Sequence, residues 1–212
     1  GAAVQVMAAR RRRAHGAPAV PAAVGYATGM VRQAFQFDGT TGMVNLGRAA
    51  AVTGKGPFSI SAWVRTQIRD QRATILVQRD QFGFNGEYIL SVEGDGRLHW
   101  LTYGDEDYGF TFDSVRTVND GQWHHVVALR DSDGTGRIYI DGSLDSSQAG
   151  PARSLISYAV TLGADVRQLV LAGGQALYFS GSIDEVQIYD RALTSREIQH
   201  IFGSGVNGLC KP

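Results

Sequence analysis

Cysteine is nearly absent from this chain: Cys210 is the single example among 212 residues. The sequence therefore has no internal disulfide framework and no zinc site built from several thiolates. Such cross-links are not required, because a chain of this length with 43% hydrophobic residues can bury most of its apolar surface. The composition fits one large domain.

Excess charge and long apolar runs are also missing. Twenty basic and twenty acidic residues balance, which argues against a chain built mainly to bind nucleic acid or an anionic membrane surface. No apolar run approaches the about 18 residues that a membrane-spanning helix needs, so we expect no membrane span. The densest charge run, from Arg10 to Arg13, is interpreted as a solvated linker, with a site for a phosphate or an acidic partner as the alternative.

Period-two alternation of apolar and polar residues is what the sequence has in abundance. In "PFSISAWVRT", Phe58, Ile60, Ala62 and Val64 share one face of a strand, and the residues between them share the other. Asp-Gly pairs in "EGDG" and "SDGTG" supply the glycines that tight hairpins use. Because no helices alternate with the strands, we predict an all-β fold, a two-sheet antiparallel jelly-roll sandwich. Further runs of this kind are "VRQAFQF", "ATILVQR", "EYILSVE", "GRLHWLTY", "WHHVVALR", "GRIYIDG", "RQLVLAG" and "SIDEVQIYD".

One short C-terminal helix is predicted in "LTSREIQHIF". Thr194 can cap its first turn while Glu197 reaches back in a capping box, and Leu193 can pack against Ile198. Gly203 is placed to end the helix. We expect this helix to cover one end of the sandwich.

Two histidines stand side by side in "GQWHHVVALRD". Successive side chains of a strand point to opposite faces, so His125 shares a face with Trp123 while His124 lies on the other face. The two rings cannot bind one ion together. The stretch therefore predicts a buried strand rather than a metal or catalytic site.

The first thirty residues follow a different pattern from the rest. "AVQVMAA" is a strand candidate through Val4 and Val6, but the arginine run that includes Arg10 and Arg11 shows no amphipathic period. We expect this segment either to complete a sheet of its own domain or to pair along the sheet edge of a neighbouring copy. In the second case the candidate assembly residues are Val4, Val6, Arg10 and Arg11.

Several stretches in order resemble the bacterial laminin-G-like, concanavalin-A-like lectin/glucanase jelly-roll domain, over roughly residues 31 to 202. The resemblance implies two curved antiparallel sheets that bind sugars or other surfaces outside the cell, usually without catalysis. The expected organisation is an N-terminal extension or edge strand at 1–30, the jelly-roll domain at 31–203 and a tail at 204–212. The stretches are Phe37-Asp38-Gly39, "FSISAWV", "WHHV", "YIDG", "FSGSIDEVQIY" and the helix residues Ala192-Leu193 and Glu197-Ile198.

The resemblance also suggests a structural Ca²⁺ near the segments that contain Asp38 and Asp184. Hard cations need several oxygen ligands, which loops between strands supply. The alternative is that Asp38 forms a turn and that Asp184 accepts a hydrogen bond at the surface.

For sugar recognition the densest set of suitable aromatic groups is Tyr103, Tyr108 and Trp100. They lie beside the acidic stretch Asp105, Glu106 and Asp107. The same acidic stretch is open to interpretation as a solvated loop. Trp63 and Trp100 are expected to fill the space between the sheets. For Trp63 the alternative is a place beside Arg65 on the concave face.

Catalysis is not expected. The five glutamates are scattered, and the alternating Glu-x-Asp-x-x-Glu strand that glycoside hydrolases on this kind of sandwich share is missing. We therefore predict a secreted or surface-displayed lectin-like module whose partner is a glycan or a surface protein. The alternative is a structural subunit of an extracellular filament, whose partners are other copies of itself held by exchange of the N-terminal strand.

Overall fold

Two antiparallel sheets form the protein, and the prediction of an all-β sandwich with one short helix is confirmed. The computed structural model describes residues 3–6, 23–80, 85–165 and 177–205. A single 3₁₀ turn in these ranges, Arg48–Ala50, follows the fourth strand. In chain order the described elements are β1 (Ala3–Val6), β2 (Val24–Thr28), β3 (Gln33–Asp38), β4 (Val44–Gly47), β5 (Phe58–Thr66), β6 (Ala73–Gln78), β7 (Glu87–Val92), β8 (Arg97–Gly104), β9 (Asp107–Thr117), β10 (His124–Arg130), β11 (Gly136–Ile140), β12 (Ser143–Gln148), β13 (Val160–Leu162), β14 (Ser180–Tyr189) and α1 (Ser195–Ser204).

The strands divide between two sheets. Sheet A has the order β12-β11-β10-β5-β14-β3-β2, and β1 pairs with β14 beside this path. Sheet B has the order β4-β13-β6-β7-β8-β9. The whole run "RQLVLAG" lies outside the described residues, so its strand prediction stays untested. Among the described residues, no helix is long and apolar enough to cross a membrane.

Alternation along β5 places apolar residues between the sheets. Phe58, Ile60 and Val64 are fully buried in the central core. Phe58 packs against Tyr88 and Trp100 of sheet B, with ring centroids 5.2 Å and 5.7 Å away. The indole Nε1 of Trp100 donates to the Leu129 carbonyl at 3.1 Å, so the prediction of a core role for Trp100 is confirmed.

The helix α1 packs on the outer face of sheet A rather than on an end of the sandwich. Its predicted capping box is present between Thr194 and Glu197. Leu193 and Ile198 are buried together against β10 residues of the outer face. The helix continues through Gly203, and Gly205 forms its C-terminal cap.

Trp63 is buried as expected, but it lies under α1 and not between the sheets. Its ring stacks on Phe202 of α1, with the centroids 5.8 Å apart. His125 shares this site, 5.2 Å from the Trp63 ring and hydrogen-bonded through Nε2 to the Ser61 hydroxyl at 2.9 Å. His124 points to the opposite face and pairs with Asp141, which confirms that the two imidazoles cannot share an ion.

The N-terminal segment contributes to sheet A. β2, inside the stretch expected to be an extension, pairs with β3 along its whole length. β1 pairs with the second half of β14, so the strand candidate is confirmed as a strand. The described residues before 31 therefore pair with strands of their own chain, which is the first of the two expectations for this segment.

Arg130 lies at the inner-face position of β10, fully buried without a carboxylate partner among the described residues. Its guanidinium donates to the carbonyl oxygens of Gly54, Gly56 and Arg153 at 2.6 to 3.2 Å. Burial lowers the pKa of Arg130 to about 10, so the group stays charged at neutral pH. Arg130 thus ties two loops to the end of the sandwich.

We expect Arg130→Met to lower the free energy of unfolding by about 3–5 kcal/mol, because several buried carbonyl oxygens lose their donor. Urea denaturation measures this change. Arg196→Met, at an exposed position of α1, is the matched control and should change stability by less than about 0.5 kcal/mol. Equal effects of the two substitutions would contradict the assigned role.

Burial of His125 predicts a specific pH dependence of stability. Desolvation lowers the pKa of His125 from 6.5 to about 4, against a smaller opposing effect of Asp141. As the pH falls, this imidazole is therefore protonated in the unfolded chain before it is protonated in the folded chain. The free energy of unfolding decreases between about pH 6.5 and about pH 4, by at most about 3 kcal/mol. Urea denaturation at several pH values should show a weaker loss in His125→Gln, and parallel curves would contradict this account.

Candidate functional site

The five residues predicted to bind a sugar come together at the hairpin that joins β8 and β9. Asp105 and Glu106 occupy left-handed backbone conformations with φ of 51° and 63°, as a tight hairpin turn requires. The rings of Tyr103 and Tyr108 meet edge to face with centroids 5.0 Å apart. The hairpin tip thus presents an aromatic pair beside an acidic turn.

Two of the three carboxylates at this tip are already engaged. Asp105 pairs with Lys55 at 3.0 Å, which lowers its pKa, and Asp107 pairs with Arg153 at 2.6 Å. These ion pairs tie the hairpin to neighbouring loops. The groups left for a ligand are the exposed Glu106 and Tyr108, which is 50% exposed.

The two residues predicted to bind calcium are not brought together. Asp38 lies opposite Ser180 in the β3–β14 pairing, and Asp184 lies four residues further along β14. Asp38 accepts the backbone N–H groups of Thr40 and Thr41, both at 2.9 Å. These hydrogen bonds lower its pKa strongly and make it the turn former of the alternative interpretation.

Asp184 is buried rather than at the surface. Its Oδ2 accepts the N–H of Val31 at 2.8 Å, and its Oδ1 accepts the N–H of Glu185 at 2.9 Å. Among the described residues no group of three or more His, Cys, Asp or Glu side chains is placed to hold a metal. Asp38 and Asp184 therefore do not fit one shared ion, and calcium binding stays a prediction.

The predicted assembly residues Val4 and Val6 lie opposite Ile188 and Val186 of the same chain. Arg10 and Arg11 lie outside the described residues. A filament held by strand exchange would require β1 to leave this pairing for the same position in a neighbouring copy. That alternative stays a prediction.

Two buried carboxylates at sheet B bind the same arginine. Arg79 binds Glu87 through Nη2 at 3.0 Å and Asp165 through Nη1 at 2.5 Å, and all three side chains are less than a tenth exposed. Removing one member of such a cluster leaves an uncompensated buried charge. The arrangement ties β7 to the end of β6 and to the segment after β13.

Sequence reasoning missed a polar cleft on the outer face of sheet A. It has a volume of about 510 Å³ and lies next to the area that α1 covers. Side-chain amides, hydroxyls and one guanidinium dominate its walls. It is lined by Gln36, Arg65, Thr66, Gln67, Ile68, Gln71, Gly121, Ser180, Gly181 and Ser182.

A row of side chains across three strands forms the floor of this cleft. Ser182 of β14 pairs with Gln36 of β3 on one side and with Arg65 of β5 on the other. The Ser182 hydroxyl donates to Gln36 Oε1 at 2.7 Å and accepts from Arg65 Nη2 at 3.4 Å. The Arg65 guanidinium lies 5.0 Å from the centre of the Trp123 ring. The row can therefore offer fixed donors and acceptors to a polar ligand.

The chain belongs to the concanavalin A-like lectin/glucanase superfamily, since the Laminin_G_3 family model matches residues 38–199. This confirms the family resemblance. A curated relative, the rat (Rattus norvegicus) "Sushi, von Willebrand factor type A, EGF and pentraxin domain-containing protein 1", is 29% identical over 92 residues. That match covers 42% of this chain and 3% of the rat protein, so the chain spans a small part of it.

Several solved structures share this fold. The binding domain of Paraclostridial Mosquitocidal Protein 1 is 15% identical with a TM-score of 0.69, and the match covers 88% of this chain and 47% of that one. Domain 4 of AbnA, an extracellular GH43 arabinanase of Geobacillus stearothermophilus solved with arabinotriose, is 21% identical with a TM-score of 0.63, over 84% and 80% of the two chains. The Ruminococcus gnavus IT-sialidase CBM40, bound to α2,3 sialyllactose, is 20% identical with a TM-score of 0.60, over 73% and 84%. At these identities the likeness shows the fold alone.

The two candidate roles of Asp38 predict different responses to calcium. A turn-forming carboxylate stabilises the loop without an ion, so Asp38→Ala should lower the melting temperature equally in EDTA and in calcium chloride. A ligand bound only by the folded state must raise stability, so an effect of Asp38→Ala confined to the calcium sample would establish Asp38 as a metal ligand. Thermal melts in the two buffers distinguish these outcomes.

Proposed function

We propose that this chain is a non-catalytic, lectin-like module that binds glycans in the polar cleft of sheet A. The observation that carries the proposal is the row formed by Gln36, Ser182 and Arg65 on the floor of the cleft. Saccharides present many hydroxyl groups in fixed directions. Planar amides, hydroxyls and a guanidinium held on neighbouring strands match that pattern better than an apolar pocket would.

The size and placement of the cleft support this function. Small-molecule sites usually have volumes of about 300–1,000 Å³, and the cleft of about 510 Å³ lies within this range. Its floor consists of strands rather than loops, so the polar groups are held by backbone pairing on both sides of β14. A rigid floor reduces the entropy lost on binding.

The similar structures also support a glycan-binding function. The arabinanase domain and the sialidase module were solved with saccharides bound. The arabinanase is described as extracellular, and we propose an extracellular or cell-surface location for this chain. We propose adhesion to a surface glycan or glycoprotein as the role of this binding.

The hairpin tip is a second candidate contact surface. Tyr108 is half exposed and braced by Tyr103, and an exposed tyrosine can stack on a sugar ring while its hydroxyl forms a hydrogen bond. This tip lies on β8 and β9 of sheet B, whereas the cleft lies on sheet A. Single substitutions can therefore separate the two surfaces.

We expect Gln36→Ala to weaken glycan binding about fivefold to tenfold, because the cleft loses one hydrogen-bonding group. Tyr108→Ala, the matched surface substitution on the other sheet, should change the affinity less than about twofold. A glycan array followed by isothermal titration with the best-bound saccharide measures both effects, and thermal melts confirm folding.

The reverse pattern, a loss with Tyr108→Ala and none with Gln36→Ala, would move the binding site to the hairpin tip. Absence of binding to every saccharide on the array would contradict the proposed function.

A further inference from the structure

The polar cleft carries an unbalanced positive charge. Of the described residues that line it, Arg65 is the one with a formal charge, and none is acidic. We infer that the saccharide bound there is acidic, with a carboxylate or sulfate group that pairs with Arg65. This inference rests on the proposed glycan-binding function and names the class of ligand.

Arg65 differs from the other described arginines that are partly or fully buried. Each of those is bonded to a carboxylate or, for Arg130, to backbone carbonyls. Arg65 has neither kind of partner among the described residues, although it is half-buried. Water can solvate such a cation in the open cleft, and an anionic ligand can replace that water with charge-assisted hydrogen bonds. The arginines bonded to a carboxylate are Arg72, Arg79, Arg97, Arg137, Arg153 and Arg191.

The guanidinium of Arg65 is held in place with most of its donors unused. Its plane lies near the Trp123 ring, at 5.0 Å, a contact that favours a cation. Its one described hydrogen bond is the long one to the Ser182 hydroxyl, at 3.4 Å. Because a guanidinium has five N–H donors in a planar fork, Arg65 can bind both oxygens of a carboxylate or sulfate.

Four acidic residues lie within two positions of a residue that lines the cleft: Asp38, Asp70, Asp120 and Asp184. Among the described residues, none of the four forms an ion pair with Arg65. Asp38 accepts backbone N–H groups of its own turn. Asp120, beside Gly121, accepts the N–H of Gln122 at 2.8 Å and pairs with His124. Asp184 accepts the backbone N–H groups of Val31 and Glu185, and Asp70 is exposed beside Gln71. Since no carboxylate of the described residues pairs with Arg65, its charge is available to a ligand.

Matched saccharide pairs test the inference. We would titrate the purified chain with 3′-sialyllactose and with lactose 3′-sulfate, each against lactose, and with trigalacturonic acid against its methyl ester. The wild type should bind at least one acidic member about tenfold more tightly than its neutral counterpart, because charge-assisted hydrogen bonds are about twice as strong as neutral ones. The carboxylate and sulfate pairs show which acid is preferred.

Three variants assign the effect to Arg65. Arg65→Gln should reduce the preference for the acidic member to about twofold or less. Arg65→Lys should retain only part of it, because lysine keeps the charge but lacks the planar fork. Arg69→Gln removes the same charge from an exposed position four residues away and should leave the preference unchanged. Thermal melts confirm that each variant is folded.

Three other outcomes would contradict the inference, and one of them would also contradict the proposed function. Equal binding of acidic and neutral members would overturn the inference and leave glycan binding intact. A preference for acidic members that persists in Arg65→Gln would place the anion elsewhere and also overturn it. If neither charged nor neutral saccharides bind, the proposed function fails together with the inference.

Discussion

The pairing of β14 with β5 and β3 is the interaction on which the architecture depends. β14 enters sheet A late in the chain and separates two strands from its first third. Its close approach to β5 requires a glycine, because a Cβ on Gly181 would overlap the carbonyl oxygen of Arg65. The same pairing sets Ser182 between Gln36 and Arg65. The core and the polar cleft are therefore consequences of one strand insertion.

A bulge within β14 explains the role of Asp184, which the family resemblance suggested as a calcium ligand. The register shifts between Asp184 and Gln187, where Glu185 adopts a φ of 49°. Asp184 stabilises this bulge by accepting the N–H of Glu185, and it also binds the N–H of Val31. The extra residue allows Ile183 and Val186 to face the same core on either side of it. Asp184 thus holds the backbone of the central strand.

The outer face of sheet A is divided between structure and recognition. Where the face is apolar, with Val127 and Leu129, the helix α1 covers it. Where the face is polar, at Ser182 and Arg65, the cleft lies open. Hydrophobic burial holds the helix over the first area, and the second area needs no cover because its groups can be solvated. The helix therefore marks one boundary of the candidate binding site.

The sequence by itself determined the local features. Alternation in β5, the capping box of Thr194 and Glu197, and the opposite directions of His124 and His125 depend on neighbours within a few residues, so a linear pattern contains them. It also brought Tyr103 and Tyr108 together, because a hairpin joins residues that are close in sequence. The sequence pattern does not indicate β9, because the acidic start and the glycine of this strand are typical of a loop.

Only the tertiary structure decided which strands became neighbours. Gln36 and Ser182 are 146 residues apart and Arg65 and Ser182 are 117 apart, yet they form one row. No local pattern encodes such a pairing, because it follows from which long-range arrangement buries the most apolar surface with every strand hydrogen-bonded. For the same reason the position of Trp63 under α1 and the separation of Asp38 from Asp184 follow from the long-range pairing and packing of sheet A.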